Sequence, residues 1–141
     1  MIGTTLEAQE LMEGWSATDS QMRARASFPL FAAHGTKSTA VVYFEVEPGD
    51  HLGRHTDSAE EILFIVDGEG EAVVGEERAT VSRGSLALIP ELVPHDLYAT
   101  GTGTLKVIGF FSAAEVESIF DDPMQPFGER VLGTPPLEAV A

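Results

Sequence analysis

The side chains with the greatest chemical reach in this 141-residue chain are few and unevenly placed. It has no cysteine, so thiolate metal ligands, disulfides and cysteine nucleophiles are excluded together. Of the four histidines, His34, His51, His55 and His95, three fall in two segments punctuated by glycine and proline. The first runs Gly49-Asp50-His51-Leu52-Gly53-Arg54-His55-Thr56-Asp57-Ser58-Ala59-Glu60-Glu61. Residues two apart on a strand share a face with side-chain origins ~6.5 Å apart, so His55 and Asp57 reach toward one ion between them. After a short break at Ser58 to Glu60, Glu61 opens a new strand and brings its carboxylate toward the same ion. His51 shares the parity of His55 but stands ~13 Å away in an extended chain, and joins only through a bend at Gly53. In the second segment Pro90 and Pro94 bracket a turn, and His95 opens a strand with Leu97 and Ala99 on its own face and Tyr98 on the other. Two imidazoles with one or two carboxylates form a mixed nitrogen and oxygen set suited to Fe(II), Mn(II), Ni(II), Zn(II) or Cu(II). Asp57 and Glu60 are the candidates for handling protons beside such an ion. A serine nucleophile is not indicated, because Ser85 lacks a Gly-x-Ser-x-Gly setting, and no glycine loop cradles phosphate.

The elements that must position these groups are short. From Phe28 to Phe111 apolar runs alternate with Gly, Pro, Asp and Glu, at Ala40 to Val46, Glu61 to Val66, Glu71 to Val74, Ala79 to Val81, Leu86 to Ile89, His95 to Ala99 and Leu105 to Phe111. Evenly spaced short strands with turn punctuation indicate an all-β sandwich or barrel. Strand parity sends Val42, Phe44 and Val46 inward with Leu105, Val107 and Phe111, and puts Leu63 and Ile65 on the face of Glu61. The pocket walls expected beside the ion are therefore Phe44, Leu63, Val107 and Phe111, which suit a small, partly hydrophobic or aromatic substrate. Outside this region two helices are expected. Thr4 with Glu7 and Ser112 with Glu115 read as capping boxes, followed by Ala8, Leu11, Met12 and Trp15 and by Val116, Ile119 and Phe120 at helical spacing. Pro123, Pro126, Pro135 and Pro136 mark an extended tail. The chain divides as an N-terminal helix and arm (1–38), a barrel (39–111) and a C-terminal helix and tail (112–141).

Composition narrows the partners. Eight Lys and Arg stand against 23 Asp and Glu, a formal charge of -15 that repels phosphate backbones and anionic lipid headgroups. Nucleic acid and membrane are excluded as expected partners. The acidity fits a solvated carboxylate face, or the surface of a protein kept soluble in high salt. Nothing reaches the ~18 apolar residues of a membrane span or the pattern of a signal peptide, so a cytoplasmic protein is expected. Strand Ile62, Phe64, Val66 offers a second apolar face outside the lumen, from which a homodimer is expected.

The two histidine segments resemble the motifs of the cupins, Gly-x5-His-x-His-x3/4-Glu-x6-Gly and Gly-x5-Pro-x-Gly-x2-His-x3-Asn. Gly49, His55, Glu61 and Gly68 match the first, with Asp57 in place of its second His; Gly84, Pro90 and His95 match the second, with Leu92 and Ala99 in place of its Gly and Asn. The resemblance covers about residues 39 to 111. It implies a cupin jelly-roll β-barrel, often dimeric, with one divalent metal held at His55, Glu61 and His95. Asp57 either ligates as a fourth group or acts through water. The resemblance does not select a reaction. The reading preferred is a mononuclear metal-dependent enzyme, a dioxygenase-like oxidoreductase acting on a small metal-chelating organic substrate. The alternatives are a noncatalytic metal- or ligand-binding barrel and a Lewis-acid isomerase or lyase.

Overall fold

The structure, a computed structural model, describes residues 1–134. Twelve strands are found there: β1 (Met12–Ser16), β2 (Arg23–Leu30), β3 (Ala40–Val46), β4 (His55–Asp57), β5 (Glu61–Asp67), β6 (Glu69–Val74), β7 (Glu77–Ser82), β8 (Leu86–Ile89), β9 (His95–Ala99), β10 (Leu105–Phe111), β11 (Ser118–Gln125) and β12 (Glu129–Leu132). They form one sheet in the order β7-β6-β9-β4-β11-β1-β2-β3-β10-β5-β8, with β12 added to β11, and every pairing between these strands is antiparallel. The sheet curls on itself, because residues from its two ends share one core: Ala72, Val81 and Leu97 pack with Leu63, Ile65 and Ile89.

Alternation produces this. Val42, Phe44 and Val46 on β3 face Leu105, Val107 and Phe111 on β10 and Leu63 and Ile65 on β5, and all are buried. A period of two puts each of these sets on a single face, where burial of an aliphatic or aromatic side chain contributes about 1.5–3 kcal/mol.

Neither expected helix forms. Among the described residues the one helical element is the 3-10 turn Ala32–His34. At the N-terminus the Thr5 hydroxyl accepts the Ala8 amide, but the chain makes only a turn there before it enters β1. There Gly14 lies against Met124, whose sulfur an added Cβ would meet at 2.8 Å. At the other terminus Ser112 and Glu115 lie in bends, and Val116, Ile119 and Phe120 divide between the core, solvent and the cavity. A lone helix of two or three turns is marginal, whereas pairing of Ile119 with Thr56 and Phe120 with His55 satisfies two backbones at once. The expected extended tail is likewise a hairpin of β11 and β12 as far as residue 132; Pro135 and Pro136 lie outside the described residues. The segments before residue 39 and after residue 111 therefore add strands to the same sheet.

Candidate metal centre

Strand register brings the two histidines together. In the antiparallel pair β4–β9, His55 stands directly opposite His95, and their rings lie 4.2 Å apart. Both sit inside the curl with Asp57 two residues along β4, and all three are buried. One potential ligand atom from each of these side chains falls within 4.8 Å of the other two. The His95 Nε2 is 3.1 Å and the His55 Nε2 3.6 Å from Asp57 Oδ2, and Glu61, first residue of β5, places Oε1 3.7 Å from His95 Nε2.

Backbone carbonyls fix the tautomers. His55 Nδ1 lies 2.7 Å from the Gly53 carbonyl and His95 Nδ1 2.9 Å from the Val93 carbonyl. A carbonyl only accepts, so each Nδ1 carries a hydrogen and each Nε2 presents a lone pair to the centre. Gly53 makes the bend that aims its carbonyl at His55: its φ is +111°, and a Cβ there would strike Met22 at 2.5 Å. Asp57 is oriented by Ser118, whose hydroxyl donates to Oδ1 at 2.5 Å, and Phe120 stacks on the His55 ring at 4.5 Å.

The result is a convergence of acceptors. Asp57 Oδ2 and His95 Nε2 are buried and have no hydrogen-bond partner, although a buried polar atom left unmatched costs about 1–3 kcal/mol. The charges respond in the same sense. Burial lowers the His95 pKa, but the Asp57 and Glu61 carboxylates outweigh it and push it up to about 10, so a cation that takes the Nε2 lone pair displaces a proton from it. Burial acts to raise the Asp57 pKa, yet His55 and His95 hold it well below the usual carboxylate range. Burial pushes Glu61 up, as does the neighbouring Asp57 charge. Such a centre calls for a cation. Donors ~2.1 Å from an ion stand ~3.0 Å apart at right angles and ~3.4 Å apart in a tetrahedron, close to the separations here.

Of the other residues expected near the site, His51 does not join it. Its ring is held between Asp96 (Nδ1 to Oδ2, 2.7 Å) and Asp19 (Nε2 to Oδ2, 2.8 Å) and stacks on Tyr98. Asp96 uses its other oxygen to accept the Gly53 and Leu97 amides, pinning the bend that precedes His55. Arg54 pairs with Asp121 and leaves Asp57 to the histidines. Glu60 is exposed, one residue out of phase with Glu61, and does not line the cavity, which removes the geometric basis for a proton-handling role.

Above the centre lies a cavity of about 430 Å³. Phe44, Leu63 and Phe111 line it, whereas Val107 is wholly buried in the core and does not. Phe120, expected in a helical stripe, and Ser118, Met124 and Phe127, to which the sequence assigned no role, are brought to this wall by the β11–β12 hairpin. The signal for them was the alternation Ser118, Phe120, Asp122, Met124, obscured by the helix-like start at Ser112.

A family model described as "Cupin domain" matches residues 42–111. No curated relative matches the chain. Among solved structures, the polyketide cyclase RemF from Streptomyces resistomycificus superposes with a TM-score of 0.66 at 16% identity, over 79% of this chain and 78% of its own. A cupin-like protein from Thermotoga maritima gives 0.58 at 23% identity, over 64% and 68%. Oxalate decarboxylase from Lactobacillus farciminis, in a formate complex, gives 0.66 at 16% identity over 70% of this chain, which spans only 31% of that protein's length. At these identities the likeness is one of fold.

Proposed function

The chain belongs to the cupins, residues 42–111 forming a small cupin domain, and from that premise we propose that it is a mononuclear metal-dependent enzyme acting on a small chelating organic substrate. The observation that carries this is the pair of imidazole lone pairs and the partnerless Asp57 oxygen converging on one point at the floor of an apolar cavity. His55, Asp57 and His95 would hold a divalent ion, with Glu61 completing the set from β5. A bound redox-active metal would supply dioxygenase-type oxidation, and a redox-inert one Lewis-acid polarisation of a substrate oxygen. The chain's own contribution is to orient. Gly53 and Val93 lock the ring tautomers, Ser118 aims Asp57, and the phenylalanine wall excludes water from the reacting molecule.

The test is O2 uptake by the Fe(II)-loaded full chain across a panel of chelating substrates, compared with the His55→Ala, His95→Ala double variant. Uptake and product that depend on both histidines are the expected result. Product without uptake would favour the Lewis-acid reading. Absence of turnover of every substrate by the metal-loaded protein would favour the noncatalytic binding barrel.

We further propose that the protein works as a dimer through the outer face of β8, β5 and β10. Leu86 and Leu88 are 70% and 58% exposed, and cross-strand pairing sets Leu88 beside Ile62 and Ile62 beside Phe110. Sedimentation should give twice the 15.1 kDa chain mass, and a monomer after Leu86→Glu with Leu88→Glu. A monomer in the wild type would contradict it.

A further inference from the structure

The walls of the cavity carry a second message, about what they refuse. Among the residues that line it there is no lysine and no arginine. Its charged groups are the acids Asp57, Glu61, Asp96, Glu10 and Glu13. The nearby arginines lie off the lining and are paired: Arg25 with Glu45 and Glu47, Arg54 with Asp121, Arg23 with Glu13 of the lining itself, and Arg130 with the Phe120 carbonyl. His34, the remaining basic side chain on the lining apart from the two central histidines, accepts the Phe31 amide on Nδ1. A divalent ion held by two neutral imidazoles, Asp57 and Glu61 brings the centre only to neutrality when both carboxylates are ionised. A carboxylate or phosphate entering this space would lose its water and find no compensating cation.

What the wall does offer is aromatic surface. Six of the chain's eight phenylalanines line the cavity: Phe28, Phe31, Phe44, Phe111, Phe120 and Phe127. Phe28 and Phe31 meet edge to face with centroids 6.3 Å apart. Such rings favour a flat π-system by stacking and edge contacts. A polyhydroxylated sugar is disfavoured for the complementary reason: most uncharged or inward polar groups of the lining are already paired, Ser118 with Asp57, Asp96 with His51 and Gln9 with Thr4 and Thr5, and the Ser27 hydroxyl alone is buried there without a partner outside the central cluster. At about 430 Å³ the cavity has the capacity of a small-molecule site.

We infer that the ligand is an uncharged, flat aromatic molecule of two or three fused rings, bearing adjacent oxygens that reach the centre, and that carboxylates and phosphate esters are excluded. The chelating half rests on the proposed metal function; the apolar, anion-refusing half rests on the cavity alone. The experiment therefore uses a matched pair, naphthalene-2,3-diol and 3-hydroxy-2-naphthoate, which differ by a carboxylate in place of one hydroxyl. Calorimetric titration is run on the metal-free and the Zn(II)-loaded full chain. The diol should bind about tenfold or more tightly than the naphthoate in both forms, and more tightly still with zinc. Filling the cavity by Ala26→Leu, or independently by Ala24→Leu, should weaken the diol, with folding checked by circular dichroism. Equal or tighter binding of the naphthoate overturns the inference, as does failure of the diol to bind either form. Diol binding that ignores zinc supports the ligand class and counts against the metal reading instead.

Discussion

Gly109 on β10 lies beneath Glu61, and replacing it by alanine asks whether that carboxylate belongs to the metal centre. The added Cβ would fall inside contact distance of Glu61 Oε2, 3.0 Å from its carboxyl carbon and 2.8 Å from Val42 Cγ1. Glu61 is 3% exposed, so the carboxylate has no solvent to retreat into and must shift by on the order of 1 Å against its neighbours. Overpacking of that kind costs about 1–3 kcal/mol, offset by a few tenths to 1 kcal/mol from the stiffer unfolded chain. Glu61 Oε1 is already 3.7 Å from His95 Nε2, and a further displacement takes it beyond reach of an ion shared with that ring. Metal affinity should fall about 10-fold or more, while metal-free Gly109→Ala melts only modestly lower. Competition against a chromophoric chelator measures the affinity and urea unfolding measures the stability. Glu61→Gln is the control, removing charge without adding bulk, and should weaken metal in the same direction. A Gly109→Ala variant that loses stability but keeps wild-type affinity would refute the assignment of Glu61 as a ligand.

Other perturbations follow from the same geometry. Asp57→Ala should reduce metal affinity, and Asp57→His should shift preference toward Cu(II) and Ni(II); identical affinity and selectivity in the wild type and both variants would make Asp57 a bystander. The His51 pKa is raised to about 9, by Asp96 first, against burial, and then by Asp19. A raised pKa means stability fully present below the unfolded value of ~6.5 and lost as pH climbs through 9, about 2 kcal/mol once the exposure of Asp19 is allowed for. The stability gap between the wild type and His51→Gln should therefore shrink over that window, and a constant gap would contradict the ion-pair account. Leu92 holds a φ of +62° while 64% exposed, so Leu92→Gly should stabilise by about 1 kcal/mol in urea unfolding, whereas destabilisation would show that its side chain matters more than its backbone.

Leu92 also shows how far the sequence could be read. The motif resemblance places a glycine at that position, and the backbone keeps a glycine-like conformation with leucine in it, so the departure in sequence is not a departure in shape. The central strands were legible because Val42, Phe44, Leu63 and Val107 alternate cleanly, and the same parity carried His55, Asp57, Glu61 and His95 to one side. The flanks were not legible. Val116, Ile119 and Phe120 fit a helical stripe as well as a strand, and only the distant partner β4 decides between them. Ser118 and Asp96 were missed for a related reason: each acts through a residue far along the chain, Asp57 in one case and His51 in the other.

The central claim is that the His55, Asp57 and His95 side chains meet at a divalent ion, and metal content tests it most directly. Elemental analysis of the full chain, loaded with a single divalent metal and freed of excess by gel filtration, should find about one equivalent per chain in the wild type and close to none in the His55→Ala, His95→Ala double variant. A wild type that retains no metal, or a folded double variant that retains a full equivalent, would contradict the account.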